Sequence, residues 1–149
     1  MMRRARHLLV GATAAIVAST VGVATPATAD DGHRVLATTL NGDEEFPGPG
    51  DDNGKGLAGL LINTESGRIC YVLAVRRIEP ATMAHIHVGA AETAGPIVVN
   101  LDPPTRGFSA NCADADPALA ADIANRPEQY YVNVHNTPFP AGAIRGQLG

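Results

Sequence analysis

The stretch GLAGLLINTESGRICYVLAV, residues 56–75, decides how this chain folds. It holds two apolar runs, 56–63 and 68–75, joined by the polar link Thr64-Glu65-Ser66-Gly67. A short link with a glycine late in it suits the turn of a β-hairpin. The sequence therefore predicts that the two runs are strands that pair antiparallel.

Similar short runs bounded by Gly, Pro, Asn and Asp continue on both sides of this hairpin, a pattern typical of many brief strands. The further runs are Arg34–Leu40, Met83–Val88, Pro96–Leu101, Tyr130–Asn136 and Ala143–Leu148. Short strands in this number, with few aromatic residues, predict an all-β antiparallel sandwich or barrel with a core of Val, Ile and Leu.

One short helix is predicted over Pro117–Asn125. Asp116 fits the capping position and Pro117 the first helical position. The apolar residues Leu119, Ala120 and Ile123 share one face. We expect this helix to decorate a loop.

The first 29 residues have the order of a secretory signal peptide. Three arginines precede an uncharged stretch, residues 8–24, and Ala27-Thr28-Ala29 supplies the small residues that a signal peptidase reads. A membrane anchor is the competing interpretation, but the stretch falls short of the roughly 20 strongly apolar residues of a spanning helix. We therefore expect cleavage after Ala29, one mature domain over 30–149 without a transmembrane segment, and secretion or residence in the cell envelope.

The charge balance argues against nucleic acid as a partner. The chain has 11 Lys and Arg against 15 Asp and Glu, a formal charge of −4. Removing the three leader arginines leaves eight basic residues against fifteen acidic ones, a formal charge of −7. An acidic protein is a poor match for a phosphate backbone, so an extracellular protein or an envelope component is the expected partner.

Two cysteines, Cys70 and Cys112, remain after cleavage. An even count in an exported protein favours a disulfide. The alternative is a pair of free thiols, one of them a metal ligand.

The segment 83–88, Met-Ala-His-Ile-His-Val, contains the sharpest candidate site. Side chains alternate along a strand, so His85 and His87 point the same way while their neighbours enter the core. In the run 130–136 the same alternation places His135 on the same face of the strand as Tyr131 and Asn133. If these two strands are neighbours, three imidazoles converge.

Three imidazoles on rigid strands suit Cu(II) or Zn(II), with Glu45 or a water completing the site. The alternative is that these histidines hydrogen-bond to backbone and turns at a strand end. A third interpretation is a calcium site in the acidic segment 43–53, which lacks the spacing of a twelve-residue calcium loop. Its oxygen ligands would be Asp43, Glu44, Glu45, Asp51, Asp52 and Asn53.

No catalytic residue is assigned, because the sequence lacks a nucleophile-elbow serine motif and a glycine-rich phosphate loop. Arg145 lies in the last run with Gln147 on the same face. We expect it to form a structural ion pair with a carboxylate, and guidance of an anion to a site is the alternative.

Four segments, taken in order, resemble the CHRD domain, a module named from chordin and also found in exported bacterial proteins. They are Leu40-Asn41-Gly42-Asp43-Glu44-Glu45-Phe46-Pro47, Ala84-His85-Ile86-His87-Val88-Gly89, Gly95-Pro96-Ile97-Val98-Val99, and Tyr131-Val132-Asn133-Val134-His135 leading to Ile144-Arg145-Gly146-Gln147-Leu148. The resemblance spans nearly the whole mature chain. It implies an immunoglobulin-like β-barrel or sandwich, distantly similar to copper/zinc superoxide dismutase, and no settled biochemical activity.

The similarity to the dismutase extends to part of its metal site. His85-Ile86-His87 resembles the copper-binding His-x-His strand, and His135 is similar to a later copper histidine. No histidine between them bridges copper and zinc, no zinc cluster is present, and Arg145 is not equated with the dismutase arginine. The first hypothesis is therefore an extracellular or cell-envelope binding or structural module without established catalysis. The alternative is a mononuclear copper or zinc redox protein.

Overall fold

The computed structural model describes residues 32–149, so the predicted signal peptide and its cleavage site lie outside the described residues. Within them the chain forms eight strands and one α-helix. These are β1 (His33–Asn41), β2 (Lys55–Asn63), β3 (Arg68–Arg76), β4 (Ala81–Val88), β5 (Ile97–Leu101), β6 (Phe108–Asp114), α1 (Pro117–Asn125), β7 (Tyr130–Asn136) and β8 (Ile144–Gln147). All strand pairs are antiparallel, which confirms the predicted all-β class.

The eight strands form one sheet in the order β5-β4-β7-β8-β1-β2-β3-β6. The ladder between β8 and β1 consists of a single pair, Asn41 with Arg145. This narrow junction divides the sheet into two four-stranded parts. We call β5-β4-β7-β8 the histidine half and β1-β2-β3-β6 the disulfide half.

The two edge strands, β5 and β6, approach each other around Asp102. Its backbone N–H donates to the Tyr71 hydroxyl oxygen at 2.7 Å, and Asn111 Nδ2 donates to Asp102 Oδ2 at 2.7 Å. Ser109 Oγ donates to the Asp102 carbonyl oxygen at 2.8 Å. These contacts make the sheet a nearly closed barrel.

Alternate residues of every strand point into the barrel. Most of these inward residues are aliphatic. Both halves contribute fully buried side chains to one core cluster, among them Leu40, Leu60, Ile62, Ile69, Leu73, Ile86, Val132, Val134 and Ile144. No helix within residues 32–149 has the length and apolar composition needed to cross a bilayer.

Helix α1 has the predicted boundaries and cap, since Asp116 Oδ1 accepts from the backbone N–H of Ala118 at 2.8 Å. The expectation that it merely decorates a loop is wrong. Ala120, Ile123 and Ala124 are buried in the core cluster beside β1, β2 and β3. The helix is therefore part of the core.

All seven predicted runs form strands, with ends shifted by at most two residues, and the hairpin of β2 and β3 is confirmed. Strand β6 was not predicted. Its inward side chains include Ser109 and Asn111, which bind Asp102 at the edge of the barrel. Because these positions are polar, β6 lacks the apolar alternation that marks the other strands.

Cys70 and Cys112 lie directly opposite each other in the ladder between β3 and β6 and form a disulfide. The predicted pairing is confirmed, and the described residues hold no free cysteine. The bridge ties the edge strand β6 to β3.

Candidate functional site

The candidate site lies on the outer face of the histidine half, where β4 and β7 are neighbours. The ladder places His85 opposite Asn133, His87 opposite Tyr131, and Met83 opposite His135. The adjacency on which the three-histidine hypothesis depended is therefore confirmed. We call His85, His87 and His135 the histidine cluster.

The histidine cluster is buried although it points away from the core. The three side chains are only 6–8% exposed. The loops of residues 89–96 and 137–143 supply hydrogen-bond partners for these rings, Gly95 and Pro140, and Glu45 of the segment 42–54 bonds to the neighbouring Asn133. The outer face of this half is thus a polar layer between the sheet and its own loops.

The three imidazoles are close enough to share one ligand. One ring nitrogen from each lies within 4.8 Å of the corresponding nitrogens of the other two. The ring centroids of His85 and His135 are 5.0 Å apart, and those of His85 and His87 are 5.6 Å apart. Among the His, Cys, Asp and Glu side chains of residues 32–149, these three histidines bring ligand atoms close enough together to hold a metal ion.

The hydrogen bonds of the cluster fix the protons on its rings. His87 Nδ1 lies 2.8 Å from the Gly95 carbonyl oxygen, and His135 Nδ1 lies 3.1 Å from that of Pro140. A carbonyl oxygen only accepts, so each Nδ1 carries the proton and each Nε2 keeps a lone pair. His135 Nε2 then accepts from His85 Nδ1 at 3.1 Å.

His87 Nε2 is buried without a hydrogen-bond partner among the described residues. The backbone hydrogen bonds of the alternative interpretation are therefore present, but they occupy Nδ1 of His87 and His135 and leave His87 Nε2 available, while His135 Nε2 accepts from His85 Nδ1. Metal-binding histidines commonly have their other ring nitrogen held in this way. The two interpretations are compatible.

Burial keeps the cluster neutral. It lowers the pKa of His85 to about 4, assisted by the nearby His135 and His87. Burial also lowers the pKa values of His87 and His135, against opposing hydrogen bonds to Gly95 and Pro140. Neutral imidazole is the form that binds metal ions.

Arg145 is almost fully buried beside this cluster, at 1% exposure. Its guanidinium donates to the carbonyl oxygens of Thr93 at 2.7 Å and Ala90 at 2.9 Å. Its Cζ atom lies 3.5 Å from the centre of the Tyr131 ring, which stacks on His87 with centroids 4.8 Å apart. Arg145, Tyr131 and His87 thus form a layered stack.

The ion pair expected for Arg145 is not found among the ion pairs of residues 32–149. Its donors go instead to loop carbonyls and to Gln147 Oε1 at 3.1 Å. Gln147 Nε2 in turn donates to the Gly89 carbonyl oxygen at 2.8 Å. These two side chains of β8 hold the loop 89–96 onto the sheet.

Glu45 lies outside the three-residue cluster. Its Oε2 accepts from Asn133 Nδ2 at 3.1 Å, and its Oε1 is buried without a partner among the described residues. Burial raises the pKa of Glu45 to about 7, although the bond from Asn133 and the charge of Arg145 oppose this shift. A Cβ atom on Gly142 would lie 2.2 Å from Glu45 Oε2, so glycine leaves room for the carboxyl group.

The rest of the acidic segment does not form a metal-binding cluster within residues 32–149. Asp51 Oδ1 instead accepts from the backbone N–H of Asn53 at 3.1 Å. The structure therefore does not support the calcium interpretation.

Sequence reasoning placed Tyr131, Asn133 and Gln147 on the right faces but gave them no role. The period-two pattern was the only available signal, and it does not show which loop lies above a strand. Gln147 Nε2 donates to three backbone carbonyl oxygens and the Tyr131 hydroxyl accepts from the Gly95 backbone N–H, and backbone partners leave no trace in residue types. Asn133 donates to the Glu45 carboxylate, which is distant in sequence.

A comparison with protein-family models matches residues 36–148 to the CHRD domain. The comparisons with curated proteins and with solved structures gave no match. The family match covers nearly all of the described residues.

Proposed function

The chain belongs to the CHRD domain family, and from that premise we propose that it is a secreted, non-catalytic module of the extracellular space or cell envelope. It acts by binding or by structural support. The Cys70–Cys112 disulfide supports the location, because disulfides persist mainly in oxidising compartments. The observation that carries the binding role is an apolar surface on the disulfide half that residues 32–149 leave exposed.

We call this surface the apolar face. It is the outer face of β1-β2-β3-β6. Its large side chains are between 45% and 72% exposed: Val35, Leu57, Leu61, Val72 and Phe108. Contiguous apolar patches on a soluble protein commonly mark an interaction site. The opposite half covers its outer face with loops, whereas no loop among residues 32–149 covers this one.

Export is tested by expressing the full chain and analysing the exported protein by mass spectrometry. We expect an amino terminus at Asp30. Replacing both Ala27 and Ala29 by Leu should leave the precursor uncut, because the peptidase reads small residues at these positions. Retention of the wild-type precursor in the cytoplasm would contradict the proposed location.

Binding is tested by co-sedimentation of the purified, oxidised protein with isolated cell envelopes. Val72→Glu places a charge on the apolar face, and Ile97→Glu is the matched control because Ile97 is equally exposed on β5. We expect Val72→Glu to weaken sedimentation and Ile97→Glu to preserve it. Treatment with a chelator should change nothing, since this binding needs no metal.

A second candidate function, a mononuclear copper or zinc centre, is favoured by the histidine cluster alone; the family match does not favour it. His85, His87 and His135 would hold the ion through ring nitrogens, a donor set that suits Cu(II) and Zn(II). Glu45, which reaches the same face through Asn133, or a water would complete the site. Copper held there would supply one-electron redox chemistry.

The metal hypothesis is tested by calorimetric titration of the exported protein with Cu(II) and with Zn(II). The test variant changes His85, His87 and His135 to Ala, and the control is His33→Ala, an exposed histidine on β1. One-to-one binding that the control keeps and the triple variant loses would support a metal centre. Failure of the wild type to bind either ion at micromolar concentration would exclude it.

A further inference from the structure

Three rows of side chains cross the four strands of the apolar face, and none of them is charged. The strand register defines the rows as Val35-Leu61-Cys70-Cys112, Ala37-Gly59-Val72-Ala110 and Thr39-Leu57-Ala74-Phe108. Most outer faces of antiparallel sheets alternate apolar and polar residues between core and solvent. Here the solvent side is apolar or small throughout.

The relief of this face is suited to contact with an identical surface. The middle row contains Ala37, Gly59 and Ala110, whereas the outer rows carry Leu61, Leu57 and Phe108. A depression of about 320 Å³ lies among residues of the first two rows, and one of about 450 Å³ lies around the third. A two-fold axis along the middle row would lay the third row of one copy over the first row of the other, so that Phe108 meets Cys112 and Val35 meets Thr39, a large side chain against a smaller one in each case.

The charges at the two ends of the face differ. One end carries Lys55 and Arg76, which follow the third row in the register. The other end carries Arg68 and Asp114, whose side chains are 3.6 Å apart. A two-fold axis along the middle row would keep each strand over its own copy and bring Arg76 of one copy over Arg68 of its partner, whose charge is balanced by Asp114.

The area agrees with a stable dimer. Neighbouring strands are about 4.8 Å apart, and successive residues on one face of a strand are about 6.8 Å apart. Four strands and three rows therefore span a surface of about 400 Å², and the two charged end rows extend it to about 650 Å². Two such surfaces bury about 1,300 Å², which reaches the range of specific protein interfaces, about 1,200–2,000 Å². An anionic lipid surface would match the basic end but not the end with Asp114.

We propose that a second copy of this chain covers the apolar face, so that the protein is a two-fold dimer with its disulfide halves packed together. The sheets then lie about 10 Å apart, the usual separation of packed sheets. This inference rests on the proposed function, because it names the partner of the same surface. It makes the module self-associating, and the second copy then competes with an envelope component for the same face, so Val72→Glu weakens both contacts.

The test is sedimentation equilibrium of the purified, oxidised protein across micromolar concentrations. The wild type should be a dimer, and Leu57→Glu or Val72→Glu should weaken association by about 100-fold or more, because each buries an unpaired charge in an apolar contact. The control Ile97→Glu should remain dimeric. Circular dichroism and the intact disulfide verify that every variant is folded.

The charge pairing is tested separately. Asp114→Lys should weaken the dimer, because it leaves Arg68 without its counter-ion opposite Arg76 of the other copy, and adding Arg76→Glu to the same chain should restore association. A monomeric wild type, or face variants that still dimerise, would overturn the inference.

The same variants separate this inference from the proposed function. A monomeric wild type that binds isolated envelopes through Val72 would overturn the dimer and leave the binding module in place. Face-dependent binding to vesicles of phosphatidylglycerol by a monomer would assign the surface to lipid and also overturn the dimer. A monomer that binds neither would remove both proposals.

Discussion

Arg145 is a buried cation whose charge is satisfied by backbone. Two loop carbonyls, the Gln147 amide oxygen and the Tyr131 ring surround its guanidinium. The planar group can donate in two directions while stacking on an aromatic ring, which an ammonium group cannot do. The residue therefore positions the loop 89–96 and, through Gly95, the proton on His87.

Arg145→Lys should lower the free energy of unfolding by about 2–4 kcal/mol, because it leaves buried carbonyls without their donors. Amide exchange in residues 89–96 should accelerate at the same time. Urea denaturation and exchange mass spectrometry measure both effects. Arg126→Lys, in the exposed pair with Asp122, is the control, and equal losses in the two variants would refute the positioning role.

Glu45 makes stability depend on pH in a definite direction. Its folded pKa of about 7 lies above the ordinary 4.5, so the folded state binds the proton more tightly than the unfolded state. The stabilising contribution of the protonated group is complete below about pH 4.5 and is lost as pH rises through about 7.

Glu45→Gln should remove the loss of stability that accompanies ionisation of Glu45. Relative to the wild type, the variant should gain about 1–2 kcal/mol of stability between pH 5 and pH 8, a figure reduced for the partial exposure of the carboxyl group. Urea denaturation at the two pH values measures the change. A pH-independent difference between Glu45→Gln and the wild type would contradict the assignment.

Among the elements, β6 depends most on a covalent link. It is an edge strand with polar inward residues, and it is held to β3 by the ladder and the disulfide. The bridge also encloses β4 and β5, and with them His85 and His87, in a loop with a sequence separation of 42 residues.

Changing both Cys70 and Cys112 to Ala should lower stability by about 4 kcal/mol on the chain-entropy account. The amides of β6 should lose exchange protection before those of β2 and β7, because an edge strand opens most easily. Thermal unfolding and exchange mass spectrometry test this. Uniform loss of protection across the sheet would show that the bridge stabilises the molecule without a local effect.

The elements that sequence could predict are those whose alternation reflects burial in the barrel. The hairpin around Gly67 and the strand with His85 and His87 belong to this class. Strand β6 was not predicted because two of its alternate residues, Ser109 and Asn111, bind Asp102 and only Ala113 packs against the core. Arg145 was assigned a carboxylate partner because side-chain chemistry is visible in sequence, whereas the carbonyls of a folded loop are not.

At the scale of the whole molecule, two sheet halves share one core but meet in different ways at their two junctions. The β8–β1 junction has one ladder pair, and the β5–β6 junction relies on Asp102. The outer faces also differ, since within residues 32–149 one is polar and covered by loops while the other is apolar and exposed. The shared core should make the halves unfold together despite these thin junctions.

Asp102→Ala should lower the free energy of unfolding by about 1–2 kcal/mol, because Asn111 loses its acceptor. The transition should remain single, with equal calorimetric and van't Hoff enthalpies. Tyr71→Phe removes the acceptor of the Asp102 N–H and should also unfold in a single transition. Two resolved transitions in either variant would contradict a common core.

The hydrogen bonds from Arg145 to the loop 89–96 predict which positions change when related chains diverge. Arg145 donates to carbonyl oxygens, which every amino acid supplies. Substitutions at Ala90 can therefore accumulate without loss of these hydrogen bonds. Gly95 has no such freedom, because a Cβ atom there would lie 1.5 Å from the Val88 carbonyl oxygen. Over evolutionary time the loop should therefore drift in sequence while keeping Gly95 and its distant arginine.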